Sequence, residues 1–251
     1  MDKKIAVLIL TFNEENNIRE CIESVAFADE VIIIDSGSTD KTCEIAETLG
    51  AKFLYHAMDE GFAGQRNFAL KQTLAEWVLF LDADERITPE LAMEIEEIVQ
   101  RNEQFAYDIL RSNVVFGERV SYGGHSPDYS LRLYPRNAIQ WQGVVHEQAQ
   151  VSLPILKTKN GMLHYTYTSW DRYFFKFNQY TTLMAQQMEA KGKKAHFIDI
   201  ILHPLAGFFR FYITKSGWRD GKIGFILAGF HGFYTMAKYV KLYYLQKERK
   251  E

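Results

Sequence analysis

The chain has 251 residues, 47% hydrophobic and 24% charged, the composition of one large globular domain or of a domain with an appendage. Its two cysteines, Cys21 and Cys43, sit in helical patterns without CxxC spacing, which excludes a disulfide framework and a zinc site and predicts reduced core thiols. The net charge of −3 hides an asymmetry: residues 166–251 carry 14 Lys+Arg against 6 Asp+Glu (+8), and residues 1–165 carry 15 against 26 (−11).

In chain order, the first half alternates. "KIAVLIL" (4–10) predicts a buried strand entered directly from "MDK" with no cleavage site, so a cytosolic start is expected. "EENNIRECIESVA" (14–26) has helical spacing at Ile18, Cys21, Ile22 and Val25. "EVIIID" (30–35) predicts a strand, and "STDKTCEIAETLG" (38–50) a helix opened by Ser38 or Thr39 and stopped by Gly50. "AKFLYH" (51–56) predicts a strand, "AGQRNFALKQTL" (63–74) a helix and "WVLFLD" (77–82) a strand. "TPELAMEIEEIVQ" (88–100) predicts a helix with Thr88 as N-cap and Pro89 in its first position. Apolar strands bounded by helices predict an α/β fold with a mostly parallel sheet covered on both faces. In such sheets the ligand lies beyond the carboxyl ends of the strands. That gathers "TFNE", "DSGSTD" and "DADE" on one rim.

From about 105 to 165 the pattern breaks into shorter strands and loops, "AYDILRSNVVF", "YSLRLYP", "IQWQGVVHEQ" and "MLHYTYT". From about 169 it is helical to the end, in three segments beginning at "SWDRYFF", "HFIDIIL" and "GKIGFIL". No repeat interrupts it. The expected division is a catalytic domain at 1–165 and a helical segment at 166–251.

Asp82 and Asp84 pose the central question, because a carboxylate is costly beside buried residues unless something pairs it. Two residues apart on an extended segment, they share a face. Hard oxygen ligands at that spacing suit Mg²⁺ or Mn²⁺ completed by substrate phosphates; the alternative is a plain turn. Asp35 ends the second strand and could accept from a nucleobase or ribose, with Ser36 and its neighbours allowing close backbone approach; the alternative is again a turn. Arg66 in "GFAGQRN" could pair with a phosphate or with a surface acid.

"VLILTFNEENNI", "VIIIDSGSTDKT", "GQRNFAL" and "WVLFLDADER", in this order and spacing, resemble the inverting family 2 glycosyltransferases of the GT-A fold over residues 4–90. The resemblance implies a nucleotide-sugar donor held by Thr11, Asn13, Glu14 and Asp35, with Ser36, Arg66, Asp82 and Arg132 among its contacts. It also implies a divalent metal on the diphosphate, held by Asp82 and Asp84, as the reason those carboxylates end a buried strand. Inverting displacement needs a base on the acceptor hydroxyl. In this family an acid about four residues before an Arg, in an "EDxxLxxR"-like segment, supplies it. Asp128 and Arg132 in "PDYSLR" match in part, with Pro127 in place of the expected acid, so Asp128 is the expected base and Glu147 the alternative. His146 in "VVHE" resembles the histidine that reaches the metal or diphosphate in many relatives; taken alone, such a histidine is more often a satisfied core residue. The whole-length pattern, closing on "DGKIGFILAGFHGFYTMAKYVKL", resembles bacterial lipopolysaccharide inner-core β-1,4-glucosyltransferases.

The C-terminal third holds 20 of the 36 aromatic residues. Its longest stretch between charges, Ile223 to Ala237, is shorter than the roughly 20 residues a bilayer needs. Aromatics beside Lys and Arg, with Trp218, Phe225, Phe230, Phe233 and Tyr234 as the apolar face, predict helices lying on an anionic leaflet. The alternatives are a core helix pair or a homo-oligomer interface; no nucleic-acid motif is present. Together these features predict an enzyme, peripheral on the cytoplasmic face of the inner membrane, that moves a hexose, glucose from UDP-glucose, to a lipid-linked glycan such as the lipopolysaccharide inner core. The rivals are a polyprenyl-phosphate sugar synthase and a catalytically silent nucleotide-sugar binding module.

Overall fold

The computed structural model describes residues 4–124, 127–143, 148–167 and 170–248. The chain forms two compact units, one of residues 1–112 with 128–164, the other of 113–127 with 165–251.

The first unit opens with β1 (Ile5–Thr11), α1 (Ile18–Glu23), β2 (Glu30–Asp35), α2 (Thr42–Thr48), β3 (Lys52–Tyr55), α3 (Gly61–Leu70) and β4 (Trp77–Asp82). The four strands run parallel in the order β3-β2-β1-β4. After the short β5 (Glu85–Arg86) and α4 (Pro89–Arg101), the sheet continues with β6, which starts at Ala106. Along the chain follow β7 (Glu118–Val120), β8 (Tyr129–Pro135), β9 (Ile139–Gln142), β10 (Gln148–Val151) and β11 (Ile155–Tyr167), of which β7 and the last three residues of β11 belong to the second unit. β8 is antiparallel to β4 and β6, β11 is antiparallel to β5, and β9 and β10 form a separate antiparallel pair.

The unbroken apolar runs follow from burial on both faces. Ile5, Val7 and Ile9 of β1 and Trp77, Leu79 and Leu81 of β4 pack with Ile18, Cys21 and Ile22 of α1 and Leu91 and Ile95 of α4. Their alternates Ala6, Leu8, Val78 and Phe80 pack on the opposite face with Ala63 and Ala69 of α3. Cys21 is fully buried, and that burial pushes its thiol far above the ordinary range. Cys43 is also a free thiol but only half-buried, so the expected core position holds for one cysteine and not the other.

α4 starts as expected, Thr88 Oγ1 accepting from the Leu91 N–H at 3.2 Å, and stops at Asn102 in the left-handed region. α2 starts four residues later than expected. Ser38 and Thr39 are engaged by the neighbouring loop, and Asp40 accepts from the Thr42 N–H at 3.0 Å at the helix start.

In the second unit, β6 ends at Val115 and turns through Phe116 and Gly117, both at positive φ (50° and 84°), into β7. Two central residues at positive φ make the tight turn that matches strand twist. Three helices follow: α5 (Trp170–Ala190), α6 (Phe197–Phe209) and α7 (Gly221–Glu248). α6 runs into a wider π-helical turn, Arg210–Thr214. Val115, Val120, Phe211, Ile223 and Leu227 form one core of this unit; Ala185, Ala195, Tyr239 and Leu242 form another. Lys241 of α7 donates to Asn178 Oδ1, Thr181 and Thr182 of α5 at 2.7–2.8 Å. α6 leaves Phe197, Ile198, Ile201, Leu202, Leu205 and Phe209 exposed on its surface.

Candidate active site

The loops after β1 and β2 are tied to one another. Asp35, 2% exposed, accepts from Thr11 Oγ1 at 3.0 Å and from the Gly37 and Ser38 N–H groups at 2.8 and 2.7 Å. Gly37, at φ 109°, is in the region that favours glycine. Asn13, left-handed at φ 55°, donates its N–H to Ser38 Oγ at 2.7 Å and accepts the Thr39 N–H at 2.9 Å. The Glu14 N–H donates to Thr42 Oγ1 at 2.9 Å and the Glu15 N–H to Asp40 at 3.0 Å. Asp35 and Asn13 therefore hold the rim together, while Thr11, Glu14 and Ser36 border the open cavity beside it.

The segment "DADER" divides its charges between two sides. Glu85 is fully buried, accepting from the Asp82 N–H at 3.0 Å and from Arg132 Nη2 at 2.6 Å. Arg86 points inward too, donating to the carbonyls of Ala83, Glu85 and Asn17 at 2.7–2.8 Å, which fixes the turn. The Asp82 and Asp84 side chains are 36% and 32% exposed at the cavity. Asp82 pairs with Arg132 Nη2 and stands 3.9 Å from Arg66 Nη2. Burial works against its ionisation, but Arg132 and then Arg66 prevail and hold its carboxyl below the usual range. Burial moves Glu85 the other way, upward, against Arg132.

These pairs belong to an alternating row. Asp128 meets Arg111 at 2.9 Å, Arg111 lies 3.5 Å from Glu85, and Glu85 shares Arg132 with Asp82. Arg132 is only 3% exposed and bears on the cavity through Asp82. Asp128 does not border the cavity, and stands at the far end of the row. Glu147 and His146 lie outside the described residues.

The "GQRN" segment has a separate task for each polar side chain. Gln65 donates to the His56 carbonyl at 2.6 Å and to Ser36 Oγ at 3.3 Å. Arg66 stacks over Trp141 at 4.4 Å as it reaches Asp82. Asn67 exchanges two hydrogen bonds with the Trp141 backbone, at 2.8 and 3.0 Å.

The resulting cavity measures about 610 Å³, within the range of small-molecule sites. Leu10, Phe12, Met58 and Phe62 supply its apolar wall, and Thr11, Glu14, Ser36, Arg66, Asp82, Asp84 and His164 its polar one. His164 Nε2 is 3.5 Å from Asp84, placed there by the pairing of β11 with β5. Among the described residues no group of three or more His, Cys, Asp and Glu could hold a metal. Two accessible carboxylates, one of them firmly ionised, nevertheless fit Mg²⁺ or Mn²⁺ in its usual manner, with waters and phosphate oxygens completing the shell.

Sequence reasoning did not single out Gln65, Asn67, Glu85, Arg111 or His164. Glu85 had a signal in hindsight, a charge between two inward-facing positions; His164 had none, since only strand register brings it to Asp84. Glu85→Ala would leave Arg132 buried with one carboxylate fewer, so a loss of about 3–5 kcal/mol is expected in urea unfolding. A loss of only about 0.5 kcal/mol, the level of an ordinary surface change, would show that the row is not structural.

The family model described as "Glycosyl transferase family 2" matches residues 6–217. The "Lipopolysaccharide core biosynthesis glycosyltransferase LpsC" of Rhizobium meliloti (strain 1021) is 30% identical over 248 residues, 95% of this chain and 92% of that protein. An uncharacterized glycosyltransferase of Rickettsia typhi is 31% identical over 253 residues, 94% of this chain and 86% of that one. Among solved structures, S. aureus TarS in complex with UDP-GlcNAc matches at TM-score 0.47 and 19% identity, over 96% of this chain and 89% of that one. The glucosyl-3-phosphoglycerate synthase of Mycobacterium tuberculosis, in complex with Mn²⁺, UDP and glucosyl-3-phosphoglycerate, matches at TM-score 0.36 and 25% identity, over 46% of this chain and 45% of that one.

Proposed function

As the chain belongs to the family 2 glycosyltransferases, with their GT-A fold, we propose that its rim cavity binds UDP-glucose and that the enzyme passes the glucose, with inversion, to a lipid-linked glycan of the lipopolysaccharide core. The observation that carries this reading is the cavity at the carboxyl ends of β1, β2 and β4, where Thr11, Glu14 and Ser36 face Arg66, Asp82 and Asp84. Thr11, Glu14 and Ser36 contact the nucleoside, with Asn13 and Asp35 holding the loops that present them. Arg66 meets the diphosphate, and Arg132 fixes Asp82 in its ionised form. Asp82 and Asp84 would hold Mg²⁺ or Mn²⁺, and the family resemblance adds His146 as a further candidate ligand. When bound, such an ion stabilises charge on the departing diphosphate. Asp128 takes the proton of the acceptor hydroxyl, and Glu147 is the alternative base.

The acceptor half of the reading is supported by the name of the Rhizobium relative and by the helical unit. Phe197–Thr214 is long and apolar enough to cross a membrane by length and composition, once Asp199 and Arg210 are tolerated within it. At 1.5 Å per residue its 18 residues reach about 27 Å, somewhat short of a hydrocarbon core of about 30 Å. The exposed stripe of α6 is better placed along the surface of the anionic cytoplasmic leaflet, and Trp218, Phe225 and Phe233 of the following segments are exposed as well. Phe230 and Tyr234, expected on that face, are half-buried around a cavity within the unit.

The test is incubation with UDP-glucose, UDP-galactose, UDP-N-acetylglucosamine and GDP-mannose in Mn²⁺, reading nucleotide release. UDP-glucose is expected to turn over fastest. A polyprenyl-phosphate-linked sugar, formed when polyprenyl phosphate is added as acceptor, would identify a polyprenyl-phosphate sugar synthase, and no release from any donor a silent binding module. Full-length protein should also bind anionic vesicles, with retention falling as salt shortens the screening length to about 8 Å at physiological ionic strength. Leu205→Glu on the stripe should weaken that retention. Indifference to anionic vesicles at low salt would make the stripe a dimer interface instead.

A further inference from the structure

The helical unit contains a cavity of about 480 Å³ that the donor reading does not use. Its polar lining is Arg210, Lys215, His231, Tyr167, Tyr173 and Tyr234, with no carboxylate among the described residues that line it. Neither Arg210 nor Lys215 has an acidic partner among the described residues. Both side chains are exposed at the rim of the cavity, where an anion can reach them from solvent.

The backbone brings the two cations together. Arg210 opens the π-helical turn that ends α6, and the Lys215 N–H donates to the Arg210 carbonyl at 2.9 Å. In an α-helix, side chains five residues apart would diverge by about 140°. With the wider turn both line the same cavity, and such turns are frequent at functional sites. Phe211, 7% exposed, anchors the turn. A Cβ on Gly123 would stand 2.3 Å from its ring, and one on Gly217 would stand 2.8 Å from its carbonyl oxygen. The Asp220 carboxylate accepts from the Ser121 and Tyr122 N–H groups at 3.0 and 2.9 Å, fixing the loop that carries Gly123 and Gly124.

The remaining wall is aromatic. The Tyr167 and Tyr173 rings meet edge-on at 4.8 Å, and Tyr173 lies 5.2 Å from Phe230. Burial, then the neighbouring Tyr167, pushes Tyr173 up to about 12, and burial raises Tyr167 and Tyr234 as well. All three phenols are therefore neutral O–H donors at pH 7.

We propose that this cavity binds a phosphate ester carried on a sugar ring, Arg210 and Lys215 taking the phosphate and the aromatic wall taking the ring face. Two cations, neutral hydroxyl donors and flat apolar surface match that chemistry, and the volume admits one such group. Taking this ligand to be part of the acceptor rests on the glycosyltransferase reading above; the binding itself does not. Along the chain, Gly124 of this cavity comes four residues before Asp128.

The experiment is calorimetric titration of the full-length protein with glucose 6-phosphate, with glucose and with UDP, alongside retention on phosphatidylcholine vesicles with and without phosphatidic acid. Glucose 6-phosphate is expected to bind and glucose to bind far more weakly. Arg210→Ala and Lys215→Ala should each weaken glucose 6-phosphate by about tenfold or more, with UDP affinity unchanged. Tyr173→Phe, which removes one hydroxyl and little volume, should weaken it less. Retention that requires phosphatidic acid and falls in Arg210→Ala, but not in a Lys194→Ala control, would place the same phosphate chemistry on a lipid. The proposal is overturned if neither glucose 6-phosphate nor phosphatidic acid binds, or if binding survives in the Arg210→Ala/Lys215→Ala protein. Failure of UDP to bind would count against the donor reading alone.

Discussion

Asp84→Ala is expected to abolish nucleotide-sugar turnover in a protein that remains folded. Its carboxylate is a third exposed and meets His164 at 3.5 Å, outside the row of arginines. Removing it therefore costs little stability, about 0.5 kcal/mol or less by the usual measure of a surface change. Asp82→Ala is a poorer probe, because it would also strip Arg132 of a partner. The same loss of turnover is expected from EDTA on the unaltered enzyme, with Mn²⁺ or Mg²⁺ restoring the rate. Nucleotide release followed beside thermal unfolding separates a missing ligand from a damaged fold. Full activity in EDTA would remove the metal from the proposed mechanism.

Asp128→Asn is expected to lower transfer by roughly 10²–10⁴-fold, the usual contribution of a general base. The amide is nearly isosteric and keeps an oxygen to accept from Arg111 Nη2, which now lies at 2.9 Å. UDP affinity should not change, because Asp128 does not border the cavity read as the donor site. A wild-type rate in this variant would move the role to Glu147. A parallel loss of UDP affinity would instead mean that the row of charges transmits the change to Asp82.

Much of the fold was legible because two-sided burial leaves a plain trace. β1, β2, β3 and β4 are within a residue or two of "KIAVLIL", "EVIIID", "AKFLYH" and "WVLFLD". The helices of the second unit also follow their periodicity, even with Pro204 inside α6. Local rules failed where side chains answered to a distant loop. Ser38 and Thr39 look like helix caps, but Asn13, some 25 residues earlier in the chain, competes for both. The turn at Phe116–Gly117 lacks the usual Asn-Gly signal, and Phe116 in it stacks on Trp170 at 3.8 Å. Asp82, Asp84 and Arg66 meet at one cavity as their motifs suggested, but the neutralising partner of Asp82 in the fold is Arg132, a residue 50 positions away. No spacing rule reaches that far.

The cross-linked loops after β1 and β2 have a consequence for how tightly a ligand can be held. Ordering a loose backbone takes about 1–2 kcal/mol per residue, and a ligand that must do so gives up affinity in proportion. Here the N–H groups of Asn13, Glu14 and Glu15 are already bonded to Ser38, Thr42 and Asp40, and those of Thr39 and Lys41 to Asn13 and Glu15. The free protein thus carries a rim of nearly fixed shape, and a ligand entering the cavity finds its mould set beforehand. Selectivity there falls to the groups that line the mould, so a change of ligand preference becomes a matter of cavity-lining side chains, Thr11, Glu14 and Ser36 among them, rather than of loop rebuilding.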